Sequence, residues 1–252
     1  IPDLDENNSF TMPAGIMSEM ISGTIFSAST EDDRHFLNGL LWKYADEKLS
    51  VVATDGRRLA LATTDKIKIK KDFKIIVPSK ILNELVKFIK SADIEDKEEV
   101  LVGLSSNQIG FKIAKTVFIS RLIEGNFPAY EQIIPKTREF SVEINTPKLV
   151  GVTKRAAICS NERSGAVKYT LKKGMLIVNS SSQTMDFEDE LEVDYKGKDF
   201  QVSFNPKFIL DILKNVGEQN IILDFNTPAT PVMARIPGNE DFTYIVMPLR
   251  TQ

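Results

Sequence analysis

The chain has 252 residues, 42% of them hydrophobic and 27% charged, with 13 Gly and 11 Pro. That is an ordinary globular composition, which excludes collagen-like, mucin-like and disordered classes, and at roughly 100–200 residues per domain it favours two domains. A single Cys, Cys159, and a single His, His35, exclude an internal disulfide and a zinc site built from several Cys and His ligands, and the net charge of −3 argues, for the chain as a whole, against a polyanion partner.

Residues 1–8, Ile-Pro-Asp-Leu-Asp-Glu-Asn-Asn, are polar and acidic and lack the basic and apolar regions of a signal peptide. They read as a linker entered from an upstream domain, and the chain is expected to be a soluble, unexported fragment. No apolar run approaches the roughly 18 residues of a membrane span. The Asn-x-Ser sequons at Asn7 and Asn179 carry no meaning without export.

A helix is expected at about 13–29, followed by short alternating runs at Leu40–Trp42, Val51–Ala53 and Leu59–Ala62, the last two joined at the turn pair Asp55-Gly56. The clearest helix is Pro78–Ala92, where Ile81, Leu82, Leu85, Val86 and Ile89 recur at helical spacing behind a Pro. Strands follow at Ile109–Ile113 and Val117–Ile119, and a join between domains at about 128–136. A third helix is expected at about 147–160. After the Lys173-Gly174 turn comes a fourth at Asn205–Val216, with Asn205 as N-cap and Phe208, Ile209, Ile212, Leu213 and Val216 as its apolar stripe. The expected domains are therefore 9–131 and 132–252.

The two halves repeat each other. A shift of 127 residues places Lys80 on Lys207, Ile81 on Phe208, Leu85 on Ile212 and Lys87 on Lys214. The same shift places Leu49-Ser50-Val51 on Leu176-Ile177-Val178 and Thr116–Leu122 on Thr243–Leu249. A period this long means a duplicated domain and not a solenoid. The fold class is α+β, each copy carrying two helices on one face of curved antiparallel sheets.

Charge is unevenly distributed. The helices at 78–92, 146–160 and 205–216 sum to +6, which leaves −9 on the rest. Lys80 and Lys87, like Lys207 and Lys214, are two helical turns apart and lie opposite the apolar stripe. On one helix such lysines are ordinary solvation; on three they suggest a polyanion contacted through phosphates and without base readout. The first helix, with Ser18, Glu19 and Ser22 at its polar positions, departs from the pattern. No Gly-rich phosphate loop, no acid/base carboxylate spacing and no cofactor or metal motif is present.

Three strings then carry a family resemblance: Val52-Ala53-Thr54-Asp55-Gly56-Arg57-Arg58-Leu59-Ala60, Leu122-Ile123-Glu124-Gly125-Asn126-Phe127-Pro128-Ala129-Tyr130 and Tyr244-Ile245-Val246-Met247-Pro248-Leu249-Arg250. With Phe204-Asn205-Pro206 opening one helix and Ser160-Asn161-Glu162-Arg163 closing another, the chain resembles the bacterial DNA polymerase III β subunit, the replicative sliding clamp, over its second and third domains. The resemblance implies a homodimeric, cytoplasmic ring of three-domain protomers closed head to tail around duplex DNA, helices inside and sheets outside. It also implies that polymerase activity belongs to another subunit. Lys80, Lys87, Lys90, Lys148, Lys154, Arg155, Lys207 and Lys214 would face the DNA. Replicative and repair polymerases and the clamp loader would dock through short linear motifs in a hydrophobic pocket at the junction of the two domains. By motif, that pocket would use Leu37, Thr54, Gly56, Arg57, Arg58, Leu59, Pro128, Gln132, Ile133, Asn205, Phe208, Ile245, Met247, Pro248, Leu249 and Arg250. Gln132 departs from a commonly basic position and Pro231 from a commonly small polar one. A chain with only these two domains is expected to be monomeric. The alternative is a duplicated interaction module without a DNA role, its lysine faces merely solvated.

Overall fold

The computed structural model describes residues 9–160 and 165–250. The chain divides after Pro128 into two units. The first runs β1 (Ser9–Pro13), α1 (Ala14–Ser22), β2 (Gly39–Ala45), β3 (Lys48–Thr54), β4 (Arg58–Thr64), β5 (Phe73–Pro78), α2 (Ser79–Ser91), β6 (Glu99–Leu104), β7 (Gln108–Ile113) and β8 (Thr116–Arg121). The second runs β9 (Phe140–Asn145), α3 (Thr146–Ile158), β10 (Val167–Lys172), β11 (Met175–Ser181), β12 (Asp186–Glu192), β13 (Phe200–Phe204), α4 (Pro206–Val216), β14 (Asn220–Phe225), β15 (Val232–Ile236) and β16 (Asn239–Val246).

Each unit holds two antiparallel ladders with the same connectivity. In the first they are β1-β6-β7-β8 and β5-β2-β3-β4. In the second they are β9-β14-β15-β16 and β13-β10-β11-β12. The duplication is therefore one of topology as well as of sequence. The 127-residue offset holds from β3 (Lys48) and β11 (Met175) to α2 (Ser79) and α4 (Pro206). Beyond the helices it fails, because residues 92–98 join α2 to β6 whereas only 217–219 join α4 to β14. The hairpin turns after Ile113 and Ile236 are 123 residues apart, but a register shift between Arg235 and Ile236 sets Thr243 opposite Arg235 where Val117 stands opposite Lys112, so in the ladder the match of Thr116–Leu122 with Thr243–Leu249 is displaced by one residue.

The helices pack in pairs, α1 on α2 and α3 on α4, and rest on the ladders of their own unit. Leu82, Leu85, Val86 and Ile89 are the buried stripe of α2, and Phe208, Ile209, Ile212, Leu213 and Val216 that of α4. Trp42 meets Phe111 edge-on at 6.0 Å between the two ladders of the first unit; in the second, Phe200 meets Phe225 at 5.0 Å and Tyr169 meets Phe204 at 5.7 Å. Asn145 and Asn205 cap α3 and α4, their Oδ1 atoms accepting from Lys148 N at 3.2 Å and Lys207 N at 3.0 Å, each beside a Pro in the first turn.

The first helix is shorter than its periodicity predicts and ends at Ser22. Thr24 Oγ1 donates to Met20 O at 2.7 Å and to Ile21 O, taking carbonyls at the end of the helix, and the chain passes into a 3-10 turn at Ile25–Ser27. The 1–8 linker and the Asn161-Glu162-Arg163 motif lie outside the described residues.

Leu85 is fully buried under α2. Leu85→Ala should destabilise the protein by about 2–5 kcal/mol, read as a lower urea midpoint with unchanged m-value.

Candidate functional site

The β3–β4 hairpin is a knot of short hydrogen bonds. Buried Thr54 donates from Oγ1 to Arg58 O at 2.6 Å and accepts from Gly56 N at 3.1 Å. Asp55 Oδ1 accepts from Arg57 N at 2.9 Å and Arg58 N at 3.0 Å, while its Oδ2 takes Arg58 Nε at 3.0 Å. Gly56 has φ 86°, a left-handed conformation that glycine adopts without strain. Arg58 is only 7% exposed, its guanidinium 5.7 Å above the ring centre of Phe26. Arg58, expected in the pocket, holds the hairpin through its Nε–Asp55 bond. Arg57 remains exposed at the tip, and Arg34 stands beside Gly56, 3.1 Å from where a β-carbon would sit.

Leu37 and Leu59 are each 2% exposed and belong to the core. Leu37 ends the 3-10 segment Asp32–Leu37, and Pro128, half-buried, closes the first unit.

In the second unit a 3-10 turn at Tyr130–Gln132 leaves Gln132 exposed and Ile133 half-buried. Asn205 is spent on its cap, while Phe208 and Ile245 are buried. The tail after β16 carries the accessible groups. Met247 is 38% exposed, Pro248 and Leu249 are half-buried, and Arg250 is exposed. Leu249 N donates to Ser203 O at 2.7 Å, which fixes the tail beside β13. The sixteen residues expected in the pocket thus divide, each within its own unit, into buried residues and a few exposed groups, chiefly Arg57, Gln132, Met247 and Arg250.

The basic residues are more uniform. Lys80, Lys87 and Lys90 on α2, Lys148 and Lys154 on α3, and Lys207 and Lys214 on α4 are all exposed, opposite the buried stripes. Lys87 pairs with Glu84 at 2.9 Å. Arg155 departs from the set: its guanidinium is bonded to Asp189 on β12, and that bond holds the Asp189 carboxyl below its usual range. Sequence reasoning missed Asp55, whose position three residues before an Arg across a tight turn is the available signal. It also missed Phe26 and Arg34, for which the sequence offers none.

Family comparison matches residues 11–129 to the DNA polymerase III β subunit central domain and residues 131–250 to its C-terminal domain. The β sliding clamp of Escherichia coli K12 is 30% identical over 253 residues, covering 99% of this chain and 68% of that one. The chain belongs to the β sliding-clamp family. The Bacillus subtilis β sliding clamp is 29% identical, with all of this chain and 67% of that one covered. Among solved structures, a DNA polymerase sliding clamp from Bacillus subtilis superposes with TM-score 0.92 at 28% identity, over 100% of this chain and 67% of its own. The DNA polymerase III subunit β from Pseudomonas aeruginosa gives TM-score 0.90 at 29% identity, over 96% and 66%. The chain thus spans about two thirds of the length of its relatives.

Two outcomes follow. Asp55→Ala should cost about 2–3 kcal/mol, because it removes three hydrogen bonds at the turn, one of them to the nearly buried Arg58 guanidinium; a thermal melt in which the variant matches the parent would refute the knot. The depressed Asp189 carboxyl lends stability that is present above the ordinary carboxylate pKa and lost as pH falls through the lowered value. A carboxyl NMR titration should find the Asp189 midpoint low, and Arg155→Gln should move it upward.

Proposed function

We propose that this chain supplies the central and C-terminal domains, 9–131 and 132–252, of a bacterial replicative sliding clamp. It tethers DNA polymerase to duplex DNA and performs no chemistry of its own. The observation that carries this reading is the pairing of basic helix faces with apolar burial: each of α2, α3 and α4 buries one stripe and presents lysines on the other. A clamp must hold DNA without fixing its register. Lys contacts to phosphate supply affinity that is independent of sequence and weakens with salt, so they permit sliding. Arg155 contributes less than its helix position suggests, being tied to Asp189.

Partner docking belongs to the hairpin and tail. Arg57 offers donors to a peptide backbone or carboxylate, and Met247, flexible and polarizable, adapts to different apolar anchors. Leu59 is buried next to the hairpin in the chain, and Ile245 is buried just before the tail. Replicative and repair polymerases and the clamp loader are the partners, in the bacterial cytoplasm. Ring closure into a homodimer would use an exposed edge of the second unit; β12, at the end of its ladder and carrying Asp186, Glu188, Asp189, Glu190 and Glu192, is such an edge.

Fluorescence-anisotropy titration of a labelled peptide with a Leu-Phe anchor tests the docking reading. Saturable binding is expected, with Met247→Ala weakening it about fivefold or more, as for loss of roughly 1 kcal/mol of apolar contact. Equal affinity in the variant would remove the tail from the site. Leu59 is unsuitable as a polar substitution because a charge there would be buried in the core.

A further inference from the structure

Five lysines, Lys66, Lys68, Lys70, Lys71 and Lys74, crowd the β4–β5 connection and the start of β5. Ile67 is buried and Ile69 half-buried, with Ile69 N donating to Tyr44 Oη at 3.2 Å, so the alternation turns Lys66, Lys68 and Lys70 outward. Lys68 pairs with Glu47 at 3.3 Å, while Lys66, Lys70, Lys71 and Lys74 have no ion-pair partner among the described residues. Lys74 also stands directly opposite Lys43 in the β2–β5 register.

A cavity of about 410 Å³ opens beside these lysines. Phe10, Ile69 and Phe73 contribute apolar lining, with the Phe10 and Phe73 rings stacked at 5.8 Å, and the two cations Lys70 and Lys71 outnumber the one carboxylate, Asp72, on its wall. The outer edge of β5 adds a third feature. Ile76 O accepts there from Ile123 N at 2.9 Å. By the two-residue period of a strand, Lys74 turns its own N–H and C=O to the same edge, where they have no backbone partner among the described residues.

From these three features we infer that the first unit docks an extended acidic segment of a partner protein. The segment pairs with β5 at Lys74, sets one apolar side chain over Phe10 and Phe73, and places carboxylates on Lys70 and Lys71. Strand addition supplies affinity and the cavity supplies selectivity. A nucleic-acid backbone would satisfy the lysines but would leave the apolar cavity and the strand edge unfilled. The surface shares no residue with the hairpin and tail described above, so the two readings fail separately.

The test uses a fluorescein-labelled heptapeptide carrying one Phe flanked by three acidic residues on each side. Anisotropy should show saturable binding that weakens about tenfold in a Lys70→Glu/Lys71→Glu variant with unchanged melting temperature, and about fivefold when the peptide Phe is Ala. Met247→Ala should leave it unchanged. Amide NMR shifts should concentrate at Lys70, Lys71, Phe73 and Lys74. Absent binding, equal affinity in the double variant, or equal affinity of the Ala peptide would overturn the proposal. So would displacement of the peptide by a duplex of about 20 base pairs whose own binding is lost in the double variant, which would assign the lysines to nucleic acid.

Discussion

Everything else in the molecule depends on the burial of one stripe of each amphipathic helix. Leu82, Leu85, Val86 and Ile89 in α2, and Phe208, Ile209, Ile212, Leu213 and Val216 in α4, occupy the inward positions at helical spacing. Once those are fixed, helical geometry leaves Lys80, Lys87, Lys207 and Lys214 no place but the solvent face. The same set of contacts therefore builds the core and orients the charge. Because the duplicated unit repeats both, an acidic protein acquires basic surfaces without becoming basic overall.

The hairpin at Thr54–Leu59 solves a different problem. The docking role proposed for it needs donors and apolar groups in fixed positions, yet loops are mobile. Here Asp55 closes three hydrogen bonds on the two residues that follow Gly56, and Arg58 is laid over Phe26. One arginine is spent on rigidity so that the next, Arg57, stands at a defined tip. The tail uses a single backbone bond, Leu249 N to Ser203 O, to the same end. In the β4–β5 segment, buried Ile67 and the Tyr44 hydroxyl hold a loop in which, Lys68 apart, the lysines have no ion-pair partner among the described residues.

Much of this was legible from the chain itself. Three of four helices follow from apolar periodicity, and the repeat from paired Lys and apolar positions, because both are local and strong. The end of α1 was not legible, since it is decided by Thr24 bonding back to the Met20 carbonyl, a choice that apolar periodicity does not encode. The loss of constant offset after α2 is set by loop length and by the register shift at Arg235 and Ile236, neither of which apolar periodicity encodes. At the candidate site, the motifs single out the hairpin and the tail but do not separate buried residues from exposed ones. Arg57 and Arg58 are adjacent and chemically identical, and only the fold separates the exposed one from the buried one. Arg155 looked free on its helix until β12 brought Asp189 beside it.

The central claim is that the helix faces meet duplex DNA through phosphate contacts. Its most direct test is an amide and lysine-methylene NMR titration of this chain with a duplex of about 20 base pairs at low and moderate salt. The account predicts weak, salt-sensitive shifts at Lys80, Lys148, Lys154, Lys207 and Lys214, independent of base sequence. Shifts confined to Lys66–Lys74, or none on the helices at low salt, would contradict it.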